Sequence, residues 1–184
     1  MLFRSNFENV TTSVAVTVLP LAPVVSSQSL KTVARTGVVT VAGENLAGAS
    51  VKIGSVAATI SQSSTDTTLI FTVPATAVLG VNQVTVATSG GSATAEAITV
   101  VATPTITSIT PTSAMRGATV AVVGTNLLTA TATIGGEAVS LTSATATGFS
   151  FVVPKTLNVG ATSLAVLVAG VTLNKSVKIG RAHV

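Results

Sequence analysis

Val122-Val123-Gly124-Thr125-Asn126-Leu127 closes an alternating stretch that begins Thr119-Val120-Ala121, and it repeats an earlier Val41-Ala42-Gly43-Glu44-Asn45-Leu46. Apolar side chains at every second position belong to a half-buried strand, with one face packed and the other in water. Gly43 and Gly124 are expected to close this strand before Asn45 and Asn126, whose tolerance of left-handed backbone suits a tight turn or bulge. On either side of it, Arg35 matches Arg116 and Ile53-Gly54 matches Ile134-Gly135 at the same offset of 81 residues. After a one-residue slip the offset is 80, where Phe71-Thr72-Val73-Pro74 matches Phe151-Val152-Val153-Pro154 and Gly80 matches Gly160. Internal repetition at a fixed period divides the chain before any strand is assigned. It predicts two units, residues 21–102 and 103–178, opened by Pro23 and Pro104.

Each unit reads as six or seven short strands with turn signals every 8–12 residues, the pattern of a β-sandwich. No window sustains a helical period with caps. Gly135-Gly136 stands between two strand-like runs and predicts a two-residue hairpin turn, and Gly54-Ser55 does the same in unit one. Pro74 and Pro154 are expected to end strands, because Pro offers no N–H to a ladder. The fold expected is all-β: two tandem immunoglobulin-like β-sandwiches. Residues 6–20, ending Val14-Ala15-Val16-Thr17-Val18 before the prolines, resemble the last strand of unit one, Ala95–Val100, and predict the tail of a preceding repeat.

The spaced Gly, Pro and Asn positions of unit two resemble one family. They run Pro104-x-Ile106-x-x-Ile109-x-Pro111, Gly117, Val120-x-Val122-x-Gly124-x-Asn126-Leu127, Ile134-Gly135-Gly136 and Phe151-x-Val153-Pro154, then Gly160. This is similar to an IPT/TIG domain, an immunoglobulin-like sandwich of bacterial surface proteins, plexins and some transcription factors. Unit one departs at its start, with Val24-Val25 and Leu30 in place of the Ile-x-Pro step. The resemblance implies an extracellular or cell-envelope array; the basic loops of the family's DNA-binding members have no counterpart here.

The two ends resemble something else. Ile179-Gly180-Arg181-Ala182-His183-Val184 is similar to a translated reading frame of a short-read sequencing adapter, and Met1-Leu2-Phe3-Arg4-Ser5 to its reverse complement. The expectation is that residues 1–5 and 179–184 are adapter-derived and that 6–178 belong to a longer protein. Without Arg4 and Arg181 the formal net charge falls from +4 to +2.

Composition narrows function by exclusion. Hydrophobic residues make up 47% of the chain and charged ones 8%, opposite to the signature of disorder. The most apolar run, Val14–Val25, is broken by Pro20 and Pro23 and falls short of the ~20 residues a spanning helix needs. A transmembrane barrel wants aromatic girdles, and Trp and Tyr are absent. Cys is absent too, removing disulfide scaffolds and thiolate metal sites. Scattered basic residues with five Phe do not make a nucleic-acid surface.

Chemistry is equally sparse. Glu8, Glu44, Asp66, Glu96 and Glu137 stand apart, and none recurs in the other unit, so no acid–base pair or shared site is implied. Asp66, among Ser63, Ser64, Thr65 and Thr67, reads as a turn residue rather than a Ca²⁺ ligand. The only imidazole, His183, is terminal, which leaves a Ser–Lys pair as the remaining nucleophile and base, and no motif for one is visible. Glu44, Asn45 and Lys52 supply the types for a Lys–Asn cross-link, but Thr125 and Thr133 replace Glu44 and Lys52 in unit two. Asn9-Val10-Thr11 and Asn174-Lys175-Ser176 match a glycosylation triplet that arises often by chance.

The expectation is therefore no catalytic, cofactor-binding or metal site and no enzyme activity. The chain reads as a structural or adhesive stalk segment of a larger bacterial cell-surface or secreted protein. Alternatives are an accessory, carbohydrate-binding module of an extracellular enzyme or a phage virion decoration domain. Expected partners are neighbouring repeats of the same chain, with surface glycans or proteins beyond them; nucleic acid and membrane insertion are not expected. Short Pro-containing joints, Leu19–Pro23 and Val101–Pro104, point to spacing rather than flexible tethering.

Overall fold

The computed structural model of the chain describes residues 19–181. The expected tail of a preceding repeat before Leu19, the adapter-like segment 1–5, the Asn9 triplet and His183 lie outside the described residues.

Unit one runs β1 (Val24–Gln28), β2 (Thr32–Ala34), β3 (Val38–Glu44), β4 (Ser50–Ile53), β5 (Val56–Ala57), β6 (Thr59–Ile60), β7 (Thr68–Thr72), β8 (Gly80–Thr88) and β9 (Gly91–Val101). Unit two follows with β10 (Thr105–Thr110), β11 (Ser113–Met115), β12 (Thr119–Thr125), β13 (Thr131–Ile134), β14 (Glu137–Val139), β15 (Leu141–Thr145), β16 (Gly148–Val152), β17 (Gly160–Val168) and β18 (Val171–Gly180). Each unit packs two sheets, ordered β1-β3-β7-β6 against β2-β9-β8-β4-β5 and, in unit two, β10-β12-β16-β15 against β11-β18-β17-β13-β14. Both units are all-β sandwiches, and among the described residues there is no helix.

Nine strands per unit exceed the six or seven that turn spacing predicts. The excess comes from short edge pieces with no room for a periodic pattern. The three-residue β2 and β11 leave the first sheet and lie parallel on β9 and β18. The two-residue β5 and β6 divide what reads as one strand between the two sheets.

The turn residues behave as their chemistry requires. Ile134 pairs with Glu137 around Gly135-Gly136, whose φ values are +59° and +85°, a hairpin turn that needs left-handed backbone twice. Asn45 and Asn126 both sit at φ +56°. Gly43 and Gly124 are not strand ends, however; β3 and β12 continue through them to Glu44 and Thr125. A Cβ on either would fall 1.9 Å from a carbonyl oxygen, of Val24 or of Thr105, so these glycines serve close approach of the first strand. That strand carries a bulge at the same place in both units, between Val25 and Ser27 and between Ile106 and Ser108. The departure of unit one from the Ile-x-Pro step thus leaves its first strand in the same register.

Each unit has its own core, around Phe71, Ile53, Val84 and Ile98 in the first and Phe151, Ile134, Leu164 and Val177 in the second. Strand β18 runs through Gly180, and Ile179, placed by the sequence reading in the adapter-like tail, is fully buried opposite Gly160. The strand-bearing part of unit two accordingly extends two residues past Lys178.

Candidate functional site

The carboxylates in the described residues remain apart. Glu44 is exposed at the end of β3. Asp66 accepts the Ala47 N–H at 3.3 Å, which fits a turn role. Glu96 faces Lys31 at 3.1 Å with both side chains largely in solvent, and Glu137 accepts the Thr156 hydroxyl. Among the described residues no three His, Cys, Asp or Glu side chains converge as a metal site would require. Asn45 spends its amide on the Ala22 carbonyl at 3.1 Å, while Lys52 lies in the other sheet opposite Ala57. The structure therefore does not assemble Glu44, Asn45 and Lys52 into a cross-linking group. Asn174 is exposed in mid-strand on β18, opposite Ala165.

What the fold does build is a joint. Only Ala102, Thr103 and Pro104 separate β9 from β10. The β17–β18 turn, Ala169-Gly170, reaches across this gap and touches unit one through its backbone. Ala34 N–H donates to Ala169 O at 2.8 Å, and Val38 N–H donates to Gly170 O at 3.1 Å. From the other side, Asn126 Nδ2 donates to Thr103 O at 3.0 Å, fixing the linker to unit two. Thr103 Oγ1 donates to Arg35 O at 3.4 Å, and Arg35 N–H to Val101 O at 3.0 Å, fixing the linker to unit one. Gly37 sits in the same crowded corner: a Cβ there would come 2.8 Å from Ala169 O, and 2.7 and 2.8 Å from Val33 Cγ2 and Ala34 O of its own unit.

The turn points its carbonyls this way because Ala169 and Gly170 both have positive φ, +47° and +81°. The equivalent turn of unit one, Ser89-Gly90, has neither residue in that region and instead lies under the entering chain, where a Cβ on Gly90 would fall 2.0 Å from Leu21 O. Beside the joint lies a cleft of about 250 Å³, mostly apolar, with Val101, Pro104, Leu128 and Val168 among its walls. Sequence reading located the linker but not the turn that locks it. Two backbone carbonyls carry no residue signature, and Gly170 was the one available signal.

The IPT/TIG domain family matches residues 23–100 and again 104–179. The chain belongs to the IPT/TIG family. Its two domains are these units, and the gap between the matches, residues 101–103, falls at the linker. No match is found among curated proteins. Among solved structures, the full extracellular region of Plexin A4, domains 1 to 10, is similar at TM-score 0.50 and 14% identity, over 97% of this chain and 17% of that one. The chain thus spans about a sixth of that protein's length. The SGBP-B protein of a Bacteroides ovatus mixed-linkage glucan utilization locus, in complex with a heptasaccharide, gives 0.37 at 18% identity, over 82% and 44%. A surface glycan-binding protein from Prevotella bryantii gives 0.39 at 18%, over 85% and 40%. At these identities the likeness concerns the fold.

Proposed function

We propose that this pair of IPT/TIG domains is a non-catalytic structural segment, a stalk that holds other parts of a larger surface or secreted protein at a fixed distance and angle. The observation that carries the reading is the joint: a three-residue linker, bonded on both sides, with a turn of one domain hydrogen-bonded to the backbone of the other. A flexible tether needs none of these bonds; a spacer does. The low charge agrees, since a spacer has no charged ligand to steer. An extracellular or cell-envelope location is part of the same proposal, as are neighbouring repeats as partners. Adhesion to glycans or proteins would be an added property of the exposed faces. Small-angle scattering on the purified chain is the test. A rigid stalk gives one extended envelope whose dimensions do not change with temperature below unfolding; a family of bent shapes counts against it. Strong, selective binding on a glycan array would replace the pure spacer by a carbohydrate-binding module.

A further inference from the structure

The way each unit begins and ends has a mechanical consequence. Strand β2 enters unit one near its start, and β9 leaves it at its end, and the two pair in parallel: Thr32 with Thr99, Val33 with Val100, Ala34 with Val101. Tension on a chain pulls β2 backward and β9 forward, so it slides them along each other. The evenly spaced, slanted bonds of a parallel pair lie across the pull and must then break together rather than in turn, which raises the barrier to unfolding under force without any change in equilibrium stability. Bonds beyond the strand limits extend the pairing, Thr99 N–H to Lys31 O at 2.7 Å and Arg35 N–H to Val101 O at 3.0 Å. Unit two repeats the device with β11 on β18, Ser113 with Lys178 through Met115 with Gly180, and Lys178 N–H to Thr112 O at 3.0 Å.

The two clamps differ in one respect. The free edge of β2 is held by unit two, since Ala34 donates to Ala169 O and Val38, just beyond, donates to Gly170 O. We propose that the chain is a tension-bearing element in which parallel terminal strands act as shear clamps, and that the clamp of unit one is stapled by the Ala169-Gly170 turn of unit two. The β2 backbone is then bonded on both edges, to β9 and to the turn, and cannot slide until both sets yield. The proposal goes beyond spacing and stands or falls separately: a joint found flexible by scattering would sink the spacer and leave the β2–β9 clamp untouched.

Absence of native Cys makes force spectroscopy direct, because handles can be attached at introduced cysteines alone. In the full chain, handles at Leu21→Cys and Thr103→Cys load β1 against β3 and, once β1 yields, β2 against β9 in shear. Handles at Leu79→Cys and Thr103→Cys instead open the β8–β9 ladder from the Gly80–Val100 end, one pair after another. The expected unfolding force at equal loading rate is at least about twofold higher for the first pair, with a release of roughly 25 nm as the unit extends. Equal forces would overturn the clamp.

The staple is tested by Gly170→Ala in the chain with the 21/103 handles, which leave unit two unloaded. A Cβ at 170 would sit 3.0 Å from Val38 O and at unfavourable φ, pushing the turn away. Circular dichroism and a retained urea-unfolding transition of unit two verify that it stays folded; if it does not, Gly170→Asn, which suits that φ better while still placing a Cβ against Val38 O, takes its place. A lower unfolding force of unit one is the expected result. An unchanged force would overturn the staple, since a residue of one domain would then have no hold on the strength of the other.

Discussion

Units one and two have the same sheet orders, the same bulge in the first strand and the same left-handed Asn, yet they fill one corner differently. In unit one that corner holds Val33 and Gly37; in unit two it holds Ala114 and Ala118. The backbone bonds around it agree, Gly37 N–H to Ala34 O at 2.9 Å and Ala118 N–H to Met115 O at 3.1 Å. Volume is exchanged between two positions, and such swaps cost little when the total is kept. The exchange teaches what the joint requires. With no Cβ at 37, a carbonyl of the next domain can come close; with Ala118 the corresponding surface of unit two is closed to the same approach. The repeated fold is thus common to both, while the joint is particular to one.

The largest expected effects lie in the two cores. Phe71→Ala and Phe151→Ala each remove a fully buried ring, and each should cost about 3–5 kcal/mol of its own domain's stability. The sharper outcome is cross-domain. Phe151→Ala should also speed hydrogen exchange at Ala34 and Val38, whose partners lie in unit two, whereas Phe71→Ala should leave the unit-two amides of Ala132 and Leu164 protected. Exchange followed by mass spectrometry or NMR checks both.

Next come the close approaches. Gly43→Ala and Gly124→Ala place a Cβ 1.9 Å from the first strand's backbone in either unit and should cost a similar amount, about 1–3 kcal/mol or more, by urea unfolding. Equal costs would confirm that this feature belongs to the repeat. Gly37→Ala should behave otherwise than Ala118→Gly: the first costs about 1–3 kcal/mol and loosens the joint, the second less than about 1 kcal/mol with no change in domain orientation. If the pair behaved alike, the corner would be mere packing.

Smaller still are the linker bonds. Asn45→Ala and Asn126→Ala lose a hydrogen bond to the chain entering their own domain, at Ala22 and at Thr103 of the linker, and a residue suited to φ +56°, together about 1–2 kcal/mol each. Removal of the exposed Lys31–Glu96 pair by Lys31→Ala should change the melting temperature by no more than about half a kcal/mol allows.

Most of the fold was legible because its decisive positions are residue-specific. Only Gly fits at 43, 124, 135 and 136, Asn suits 45 and 126, and Pro74 and Pro154 cannot donate to a ladder. These punctuate the chain at fixed intervals, and the repeat doubles the signal. Short strands such as β2 and β11 were not legible, since three residues carry no period and their placement depends on β9 and β18, some 65 residues later. The role of Gly43 and Gly124 was misread for a related reason: the carbonyl they accommodate belongs to another strand. The joint lay further out of reach. Its partners are main-chain N–H and C=O groups, which every residue at those positions except Pro would present equally. Ala169, at φ +47°, is a residue that sequence reasoning would never choose for such a turn.

The central claim is that two IPT/TIG domains are held as one stiff segment by the turn at 169–170. Its most direct test is the distance between spin labels placed in the two domains, at Gln62→Cys and Asn158→Cys, both exposed. A single narrow distance distribution, broadened by Gly37→Ala, is the predicted result. A broad or multi-component distribution in the otherwise unaltered chain would contradict it.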